Sequence, residues 1–180
     1  MAQHVVITLM AVLCASCVAI PLGIAIGHSK RGSGIVVGLT GAARAIPTLG
    51  LLTLFGLAFG IGVKAPLLAL IVLAIPSLLA GTYAGIQAVD SVTVDAAQAI
   101  GMSTGQVIRG VELPLALPVI IGGIRAATLQ VVSTTTLAAY TSDYGLGRYL
   151  FIGLKTRDYA VLLGGAILVI VLALLFAACL

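Results

Sequence analysis

Long apolar stretches that carry no charge are the feature that most limits what this chain can fold into. Residues 5–27, 66–88 and 160–180 contain no Asp, Glu, Lys or Arg. A helix needs about 20 mostly apolar residues to cross a bilayer, and each stretch reaches that length. Charged side chains make up only 8% of the chain, whereas soluble globular domains contain about 25%. The composition excludes an ordinary soluble domain and a disordered chain, and it predicts a membrane protein.

Two further stretches complete the pattern of spans. Residues 33–62 are too long for one straight span, and Arg44 and Pro47 interrupt them. We interpret this stretch as a broken or tilted helix with a proline kink at Ala45-Ile46-Pro47-Thr48. The sequence predicts one all-α domain, residues 1–180, which is a polytopic membrane protein with about five transmembrane helices. The predicted spans are residues 5–27, 33–62, 66–88, 114–138 and 160–180. Because the last of them reaches Leu180, the sequence leaves open whether the chain is complete there.

The remaining polar residues argue against a nucleic-acid partner and against an enzyme. The net charge is only +4, and the basic residues are scattered, unlike a nucleic-acid-binding patch. Cys14 and Cys17 form a C-x-x-C inside an apolar stretch, where no second pair completes a metal site, so we interpret them as packing residues. We interpret the lone His4 and His28 as interfacial residues. We expect no metal site and no catalytic residue, because the chain contains neither H-E-x-x-H nor G-x-S-x-G.

The polar interval 89–113 has the signals of a compact helix–glycine–helix loop. Asp90 or Ser91 can cap a short helix that runs to about residue 100. Gly101 stands where a glycine commonly ends a helix. The stretch Ser103-Thr104-Gly105-Gln106 fits a capping box at the start of a second short helix. The next span is expected to begin after it, at Pro114.

The first short helix has a face of small side chains at Ala96, Ala97 and Ala99. Small side chains allow another backbone to approach closely, so this face suits the cleft of a partner protein. The same interval carries the motif Asp95-Ala96-Ala97, three residues, Gly101, nine residues, then Val111-Glu112-Leu113-Pro114.

This motif resembles the EAA loop of binding-protein-dependent ABC importer permeases, whose pattern is E-A-A, three residues, G, nine residues, I-x-L-P. Two residues depart from it conservatively, Asp95 and Val111. The resemblance implies a MetI-like permease core and a cytoplasmic loop that docks in a groove of an ATPase subunit. It also implies a bacterial or archaeal plasma (inner) membrane and an N-terminus on the outside. The residues that it places in the ATPase-coupling loop are Asp95, Ala96, Ala97, Gly101, Val111, Leu113 and Pro114.

Other segments resemble the permeases of osmoprotectant uptake systems, which import glycine betaine, choline or carnitine. These segments are 45–52, 76–90, 112–125 and Gly145-Leu146-Gly147. Permeases for methionine and other amino acids share the same core, so a permease for such a small solute is the alternative. A secondary transporter is less favoured, because it typically places acidic residues within its spans, whereas all five acids here are expected in loops.

The resemblance also implies partners. They are ABC ATPase subunits, a periplasmic or lipid-anchored solute-binding protein that docks near residues 139–159, membrane lipid, and a second permease copy or a paralogue. The chain contains no G-x-x-x-x-G-K-[ST]. We therefore expect a permease that binds no cofactor and is driven by alternating access, with ATP and Mg used by the partner ATPase.

Polar residues inside the predicted spans are candidates for the solute path. Ionisable groups at that depth usually face a bundle interior or water, although Arg44 and Arg125 could instead snorkel to the headgroups. Proline breaks suit a gate when they line a cavity. Hydroxyls suit a path, but they can also bond their own backbone or join helices. The pore and gate candidates are Arg44, Pro47, Thr48, Arg125, Thr128, Gln130, Ser133 and Thr135.

Overall fold

The fold was obtained as a computed structural model that describes residues 1–30 and 32–180, with the side chain of Arg44 outside the described part. Within these residues every regular element is a helix, which confirms the all-α prediction. A π-helical turn, Ile108–Glu112, precedes α7, and a 3-10 turn, Thr135–Tyr140, follows it. The α-helices are α1 (Ala2–Ser29), α2 (Ser33–Ala45), α3 (Thr48–Phe59), α4 (Lys64–Gln87), α5 (Ser91–Ala99), α6 (Thr104–Val107), α7 (Leu113–Thr134), α8 (Gly147–Thr156) and α9 (Tyr159–Cys179).

Among the described residues, four continuous helical stretches are long and apolar enough to cross a membrane, and one bent pair raises the number to five if it forms a single span. The four are Ala2–Ser29, Lys64–Gln87, Thr104–Tyr140 and Tyr159–Cys179. The bent pair is α2 with α3, and the two axes differ by 85°. Ile46 and Pro47 are both extended at the break. A proline disfavours helical backbone at the residue before it, which accounts for Ile46.

The helix that contains α7 begins earlier than the sequence predicts. We expected Pro114 to open a separate span, but the chain is helical without a break from Thr104 to Tyr140. The π turn connects α6 to α7, and Pro114 lies in the first turn of α7. A proline is tolerated in the first turn of a helix. The second half of the loop, from Thr104, and the span are therefore one continuous helical stretch rather than two hinged pieces.

Small residues bring α1 against α4. A Cβ built on Gly23 would lie 2.7 Å from Cβ of Thr82, and one built on Gly27 would lie 2.7 Å from Cβ of Ile86. Interfaces of this kind, with small residues four apart, are typical of helix pairs in membranes. The buried stripe on α1 includes the small residues Ala11, Ala15, Ala19, Gly23 and Gly27.

The backbones of α4 and α7 also touch. A Cβ built on Gly81 would lie 2.7 Å from Cα of Gly123, so neither position has space for a side chain. Helix α4 therefore lies between α1 and α7 and contacts both along its length. The core of this three-helix unit includes Leu70, Leu78 and Val131, all almost fully buried.

Long-range hydrogen bonds define two opposite ends of the bundle. At one end the Nε2 group of Gln87 donates to the carbonyl of Gly27 at 2.9 Å, beside the interval 89–113. We call this the loop end. At the other end, Oγ1 of Thr8 lies 3.3 Å from Oγ1 of Thr135, and we call this the far end. Helix α8 has 10 residues and measures about 15 Å, which is too short to cross a bilayer of about 30 Å.

Candidate functional site

The EAA loop, residues 89–113, begins with a capped helix that ends at a glycine. The Asp90 side chain accepts a hydrogen bond from the backbone N–H of Val92 at 3.0 Å, which starts α5. Gly101 has φ +90°, a left-handed conformation that glycine adopts without steric cost. The glycine turns the chain sharply between α5 and α6. These local features match the interpretation of this interval from its sequence.

The second half of the loop is fixed by a capping box and the π turn. Oε1 of Gln106 accepts a hydrogen bond from the backbone N–H of Ser103 at 2.8 Å, as the capping box predicts. Val107 is fully buried and anchors α6. Short π-helical turns inside α-helices are rare and often lie at functional sites.

The structure separates the predicted coupling residues into an exposed group and a packed group. Ala97 is only 7% exposed and packs within the loop, whereas Asp95, Ala96, Gly101 and Pro114 are exposed, and Val111 and Leu113 are half-buried. The motif treats Ala96 and Ala97 alike, but in the fold Ala96 is exposed and Ala97 is buried.

Two large apolar side chains of the loop point away from the bundle, which the sequence interpretation missed. Val92 is 70% exposed and Ile100 is 81% exposed. At about 100° per residue, they share one face of α5 with Ala96 and Ala99. We call these four residues the docking face. Exposed apolar side chains outside the membrane-spanning helices are candidates for protein–protein contact, and the signal in the sequence was the helical spacing of these residues.

A buried acid ties the EAA loop to α1. Nδ1 of His28 donates a hydrogen bond to Oε2 of Glu112 at 2.8 Å, and Glu112 is 4% exposed. Glu112 lies in the interval 89–113, as the sequence predicts, but it belongs to the π turn and is buried rather than exposed on a loop. The interpretation of His28 as only an interfacial residue misses this contact, which joins residues 84 positions apart in the sequence.

Beside this pair lies a cleft of about 380 Å³. Its lining comes from the ends of α1 and α4 and from the start of the EAA loop, and it includes Lys30, Gln87, Asp90, Ser91 and Glu112. The same lining includes the apolar residues Ile86, Ala88, Val89 and Val94, so polar and apolar groups alternate around this cleft.

At the far end, His4 is fully buried and both of its ring nitrogens are engaged. Nε2 donates to the carbonyl of Val132 at 2.9 Å, and Nδ1 accepts from the backbone N–H of Leu146 at 3.2 Å. Because a carbonyl can only accept and a backbone N–H can only donate, the ring carries its proton on Nε2 alone. The interpretation of His4 as an interfacial residue is wrong, because the ring joins α1, α7 and the segment before α8.

The pore and gate candidates are not gathered in one place. Thr128 and Thr135 are buried, and their hydroxyls donate to the carbonyls of Ile124 at 2.8 Å and Val131 at 2.7 Å. Ser133 borders an apolar cleft between α7 and α9. These three hydroxyls therefore face packed protein or apolar surroundings in this conformation.

The other candidates lie on exposed surface or outside the described residues. Gln130 is exposed, and its Oε1 accepts a hydrogen bond from the hydroxyl of Ser77 on α4 at 2.7 Å, a partner that the sequence did not indicate. Arg125 is exposed as well, but it lies about 140° around α7 from Gln130. Pro47 is exposed and Thr48 half-buried at the break between α2 and α3. The candidate Arg44 lies outside the part of the chain whose side chains are described.

An open cleft of about 450 Å³ lies at the far end, between α3 and the residues that follow α7. It is lined by hydroxyls, an aromatic ring and a carboxylate, which come from Thr53, Tyr140, Thr141, Ser142 and Asp143 together with apolar residues of α3. Within residues 1–30 and 32–180, no group of three His, Cys, Asp or Glu residues could hold a metal ion. Cys14 and Cys17 are free and exposed on α1, so they do not pack against the other described helices as the sequence interpretation expected.

Comparison with known proteins relates this architecture to transporters. Residues 19–180 match the family described as binding-protein-dependent transport system inner membrane component. The choline transport system permease protein OpuBB of Bacillus subtilis is 36% identical over 96% of this chain and 79% of its own length. The glycine betaine/carnitine/choline transport system permease protein OpuCB of the same organism is 36% identical over 96% of this chain and 80% of its own length.

The fold is also found among solved structures. An inward-facing structure of the MetNI methionine ABC transporter superposes with a TM-score of 0.86, at 20% identity, over 98% of this chain and 89% of the matched chain. The helical architecture described above is therefore the one that this solved transporter uses.

Proposed function

The chain belongs to the family of binding-protein-dependent transport system inner membrane components, and we propose that it carries quaternary ammonium osmoprotectants such as glycine betaine, choline or carnitine. It is a multi-pass membrane protein and the permease subunit of an ABC importer. The observation that carries the choice of cargo is the 36% identity to permeases for choline and for glycine betaine, carnitine and choline, over 96% of this chain.

The EAA loop is the part of the permease that would contact the ATPase subunits and move with them when they bind ATP. Its docking face is apolar and turned away from the bundle, and the small side chains of Ala96 and Ala99 leave space for another backbone. An ATPase subunit with a groove for this helix would bury Val92 and Ile100, which gains about 25 cal/mol for each Å² of apolar surface removed from water. The motif spacing from Asp95 to Pro114 supports the same assignment.

The chain itself would take no part in the chemistry of ATP. Its sequence holds no G-x-x-x-x-G-K-[ST], the loop that cradles phosphates and supplies a lysine to them. ATP and Mg would be bound and used by the partner ATPase subunits, and the permease would convert their closure into movement of its helices.

The orientation follows from the loop. With the loop end in the cytoplasm of a bacterial or archaeal cell, the N-terminus and the far end face outward. A periplasmic or lipid-anchored binding protein would then release its cargo at the far-end cleft. The ring of Tyr140 and the carboxylate of Asp143 line that cleft, and aromatic faces and negative charge both attract quaternary ammonium groups.

A second permease, either another copy of this chain or a paralogue, would complete the path. Ser77 and Gln130 form a polar pair at the junction of α4 and α7, and Gln130 is exposed. Polar groups on a membrane helix are unfavourable against lipid, so a facing subunit or a water-filled path is the environment that suits this pair. Alternating access would then open the path between the two permeases to one side at a time.

A permease for methionine or another amino acid is the second candidate. The TM-score of 0.86 to the MetNI methionine transporter supports it, but at 20% identity this likeness concerns the fold. The sequence favours the first candidate, since the 36% identity to permeases for choline and for glycine betaine, carnitine and choline extends over 96% of this chain.

The test is uptake by the assembled transporter. The permease is co-expressed with candidate ATPase subunits and binding protein, reconstituted into liposomes, and supplied with radiolabelled choline. We expect ATP-dependent uptake that unlabelled glycine betaine or carnitine reduces and unlabelled methionine leaves unchanged. Uptake of labelled methionine with none of choline, glycine betaine or carnitine would overturn the assignment of cargo.

A matched pair of variants tests the docking face. Ile100→Glu places a charge on the docking face, whereas Gln98→Glu places the same charge on an exposed position about 160° around α5. We expect Ile100→Glu to abolish co-purification with the ATPase subunits and Gln98→Glu to retain it. Equal retention by both variants would show that this face does not dock the ATPase.

A further inference from the structure

The far-end cleft, of about 450 Å³, has a negative charge on its wall. Among the described residues that line it, Asp143 is the charged one and none is basic. Asp143 is exposed, and its carboxylate forms no ion pair within the described part of the chain. Pockets that bind small molecules have volumes of roughly 300–1,000 Å³. The cleft is therefore large enough for a small solute, and its charge favours a cation.

Two hydroxyl groups of the cleft donate their protons to the backbone. Oγ1 of Thr53 donates to the carbonyl of Leu49 at 2.7 Å, and Oγ of Ser142 donates to the carbonyl of Ala138 at 2.8 Å. A hydroxyl has one proton to donate and two lone pairs with which it can accept. These two side chains therefore offer lone pairs, and not O–H groups, to a molecule in the cleft.

The segment that follows α7 also directs its donors away from the cleft. Oγ1 of Thr141 is directed at the carbonyl of Ala138, at 3.5 Å. The backbone N–H groups of Thr141 and Ser142 donate to the same carbonyl, at 3.2 and 3.0 Å. Among the described lining residues, the remaining side-chain donor is the neutral hydroxyl of Tyr140. The polar wall of the cleft therefore consists mainly of hydrogen-bond acceptors.

Arg148, the basic residue that senses the charge of Asp143, is engaged elsewhere. Its guanidinium donates to the hydroxyl of Tyr149 at 3.0 Å and lies 4.9 Å from the centre of that ring. The hydrogen bond to Tyr149 is the main reason that the pKa of Arg148 is raised, and Asp143 contributes less. Asp143 therefore keeps its charge available to the cleft.

The cargoes of the proposed function differ in whether they carry a carboxylate. All three have a trimethylammonium group, which an aromatic ring such as that of Tyr140 attracts. Glycine betaine and carnitine also have a carboxylate, which would meet Asp143 and oxygen lone pairs, and like charges repel. Choline has a hydroxyl instead, which can donate to one of these oxygens. A site that leaves a charged group of one ligand unpaired discriminates against that ligand.

We propose that the far-end cleft selects choline over glycine betaine and carnitine, and that Asp143 sets this preference. Tyr140 binds the ammonium group that all three compounds share. The inference rests on the proposed function, because it takes the cargo to be a quaternary ammonium compound. The permease would then select its cargo a second time, after the binding protein has released it.

The experiment measures binding to the detergent-solubilised permease by saturation-transfer NMR, in a maltoside detergent that carries no ammonium group. Choline and glycine betaine are titrated separately, and their N-methyl signals report the Kd of each compound. For the wild type we expect the Kd for glycine betaine to be about threefold or more above that for choline. Asp143→Asn should raise the Kd for choline about two- to fivefold and leave that for glycine betaine the same or lower.

Two further variants serve as controls. Asp158 is also an exposed acid, but it caps α9, where it accepts from the N–H of Ala160 at 3.1 Å, and it does not line the cleft. Asparagine caps a helix as well as aspartate does, so Asp158→Asn should bind both compounds as the wild type does. Tyr140→Leu should weaken the binding of both compounds by a similar factor and keep the preference.

The outcomes separate this inference from the proposed function. Equal Kd values of choline and glycine betaine for the wild type would overturn the preference, and so would no detectable binding of either compound. Equal losses of choline binding in Asp143→Asn and Asp158→Asn would exclude Asp143 as its cause. These measurements need neither the ATPase nor the binding protein. Uptake of methionine alone by the assembled transporter would instead count against the proposed function.

Discussion

Nε2 of His4 donates a hydrogen bond to the carbonyl of Val132 across 128 positions of sequence, at 2.9 Å. The other ring nitrogen accepts from the N–H of Leu146 at 3.2 Å. One fully buried side chain thus joins the first helix to the end of α7 and to the segment before α8. This ring holds helices together at the far end of the bundle, and the contact between His28 and Glu112 does the same at the loop end.

Replacement of His4 should destabilise the protein without changing the structure of the EAA loop. In His4→Leu the carbonyl of Val132 and the N–H of Leu146 both lose their partner, and each buried group left unpaired costs about 1–3 kcal/mol. We expect a lower midpoint of thermal unfolding in detergent, with ATPase association unchanged at low temperature. Val6→Leu, on the same turn of α1 but exposed, serves as the control and should unfold at the wild-type midpoint.

The contact between Gly81 and Gly123 should tolerate no added methyl group. In Gly123→Ala the new Cβ would lie 2.9 Å from Cα of Gly81, so α4 and α7 must separate, and overpacking of this kind costs about 1–3 kcal/mol. The adjacent Gly122 has open space around its missing Cβ, and Gly122→Ala should be neutral or slightly stabilising, since alanine favours helices. Thermal unfolding of the two variants checks this, and equal midpoints would contradict the close approach.

Gly101 should be sensitive to substitution because of its backbone, not because of crowding. No atom lies within 4 Å of the missing Cβ at Gly101 or at Gly105, but only Gly101 has a positive φ, +90°. In Gly101→Ala the left-handed conformation is strained by about 1–2 kcal/mol. We expect the affinity for the ATPase subunit to fall about five- to thirtyfold, measured by titration of the detergent-solubilised permease, and Gly105→Ala to bind as the wild type does. The reverse order would refute the explanation.

The aromatic ring of Tyr140 should matter for a quaternary ammonium cargo. A cation over an exposed ring gains about 0.5–1 kcal/mol, so Tyr140→Leu should raise the KM for choline uptake about two- to fivefold while Tyr140→Phe leaves it unchanged. Tyr159 is similarly exposed but does not line the far-end cleft, and Tyr159→Leu is the control. Equal effects of the two leucine variants would exclude a specific role for this ring.

The local structure of the EAA loop could be read from the sequence because its signals are local. Asp90 caps its own helix, Gly101 ends it, and Gln106 reaches back only to Ser103. The same holds for the break before Pro47, since proline acts on the residue that precedes it. The angle of 85° between α2 and α3 depends on packing against other helices, and no local sequence pattern predicts it.

The contacts that organise the two ends could not be predicted in this way. His4 meets Val132, His28 meets Glu112, and Ser77 meets Gln130, and each pair depends on how helices distant in sequence are aligned. A single polar residue in an apolar stretch indicates that some partner exists, but periodicity does not name it. The extension of the helix through Pro114 was missed for a related reason, because a π turn has no clear sequence signature.

The break at Ile46 and Pro47 has a consequence for the lipid that surrounds the chain. Helix α3 begins with no side-chain cap in the described part of the chain, and the first backbone bond that closes its helix runs from the N–H of Leu51 to the carbonyl of Pro47. The amides before it have no acceptor within the helix. Hydrocarbon cannot satisfy them, so we expect this corner to lie against water, headgroups or another protein segment rather than against lipid tails.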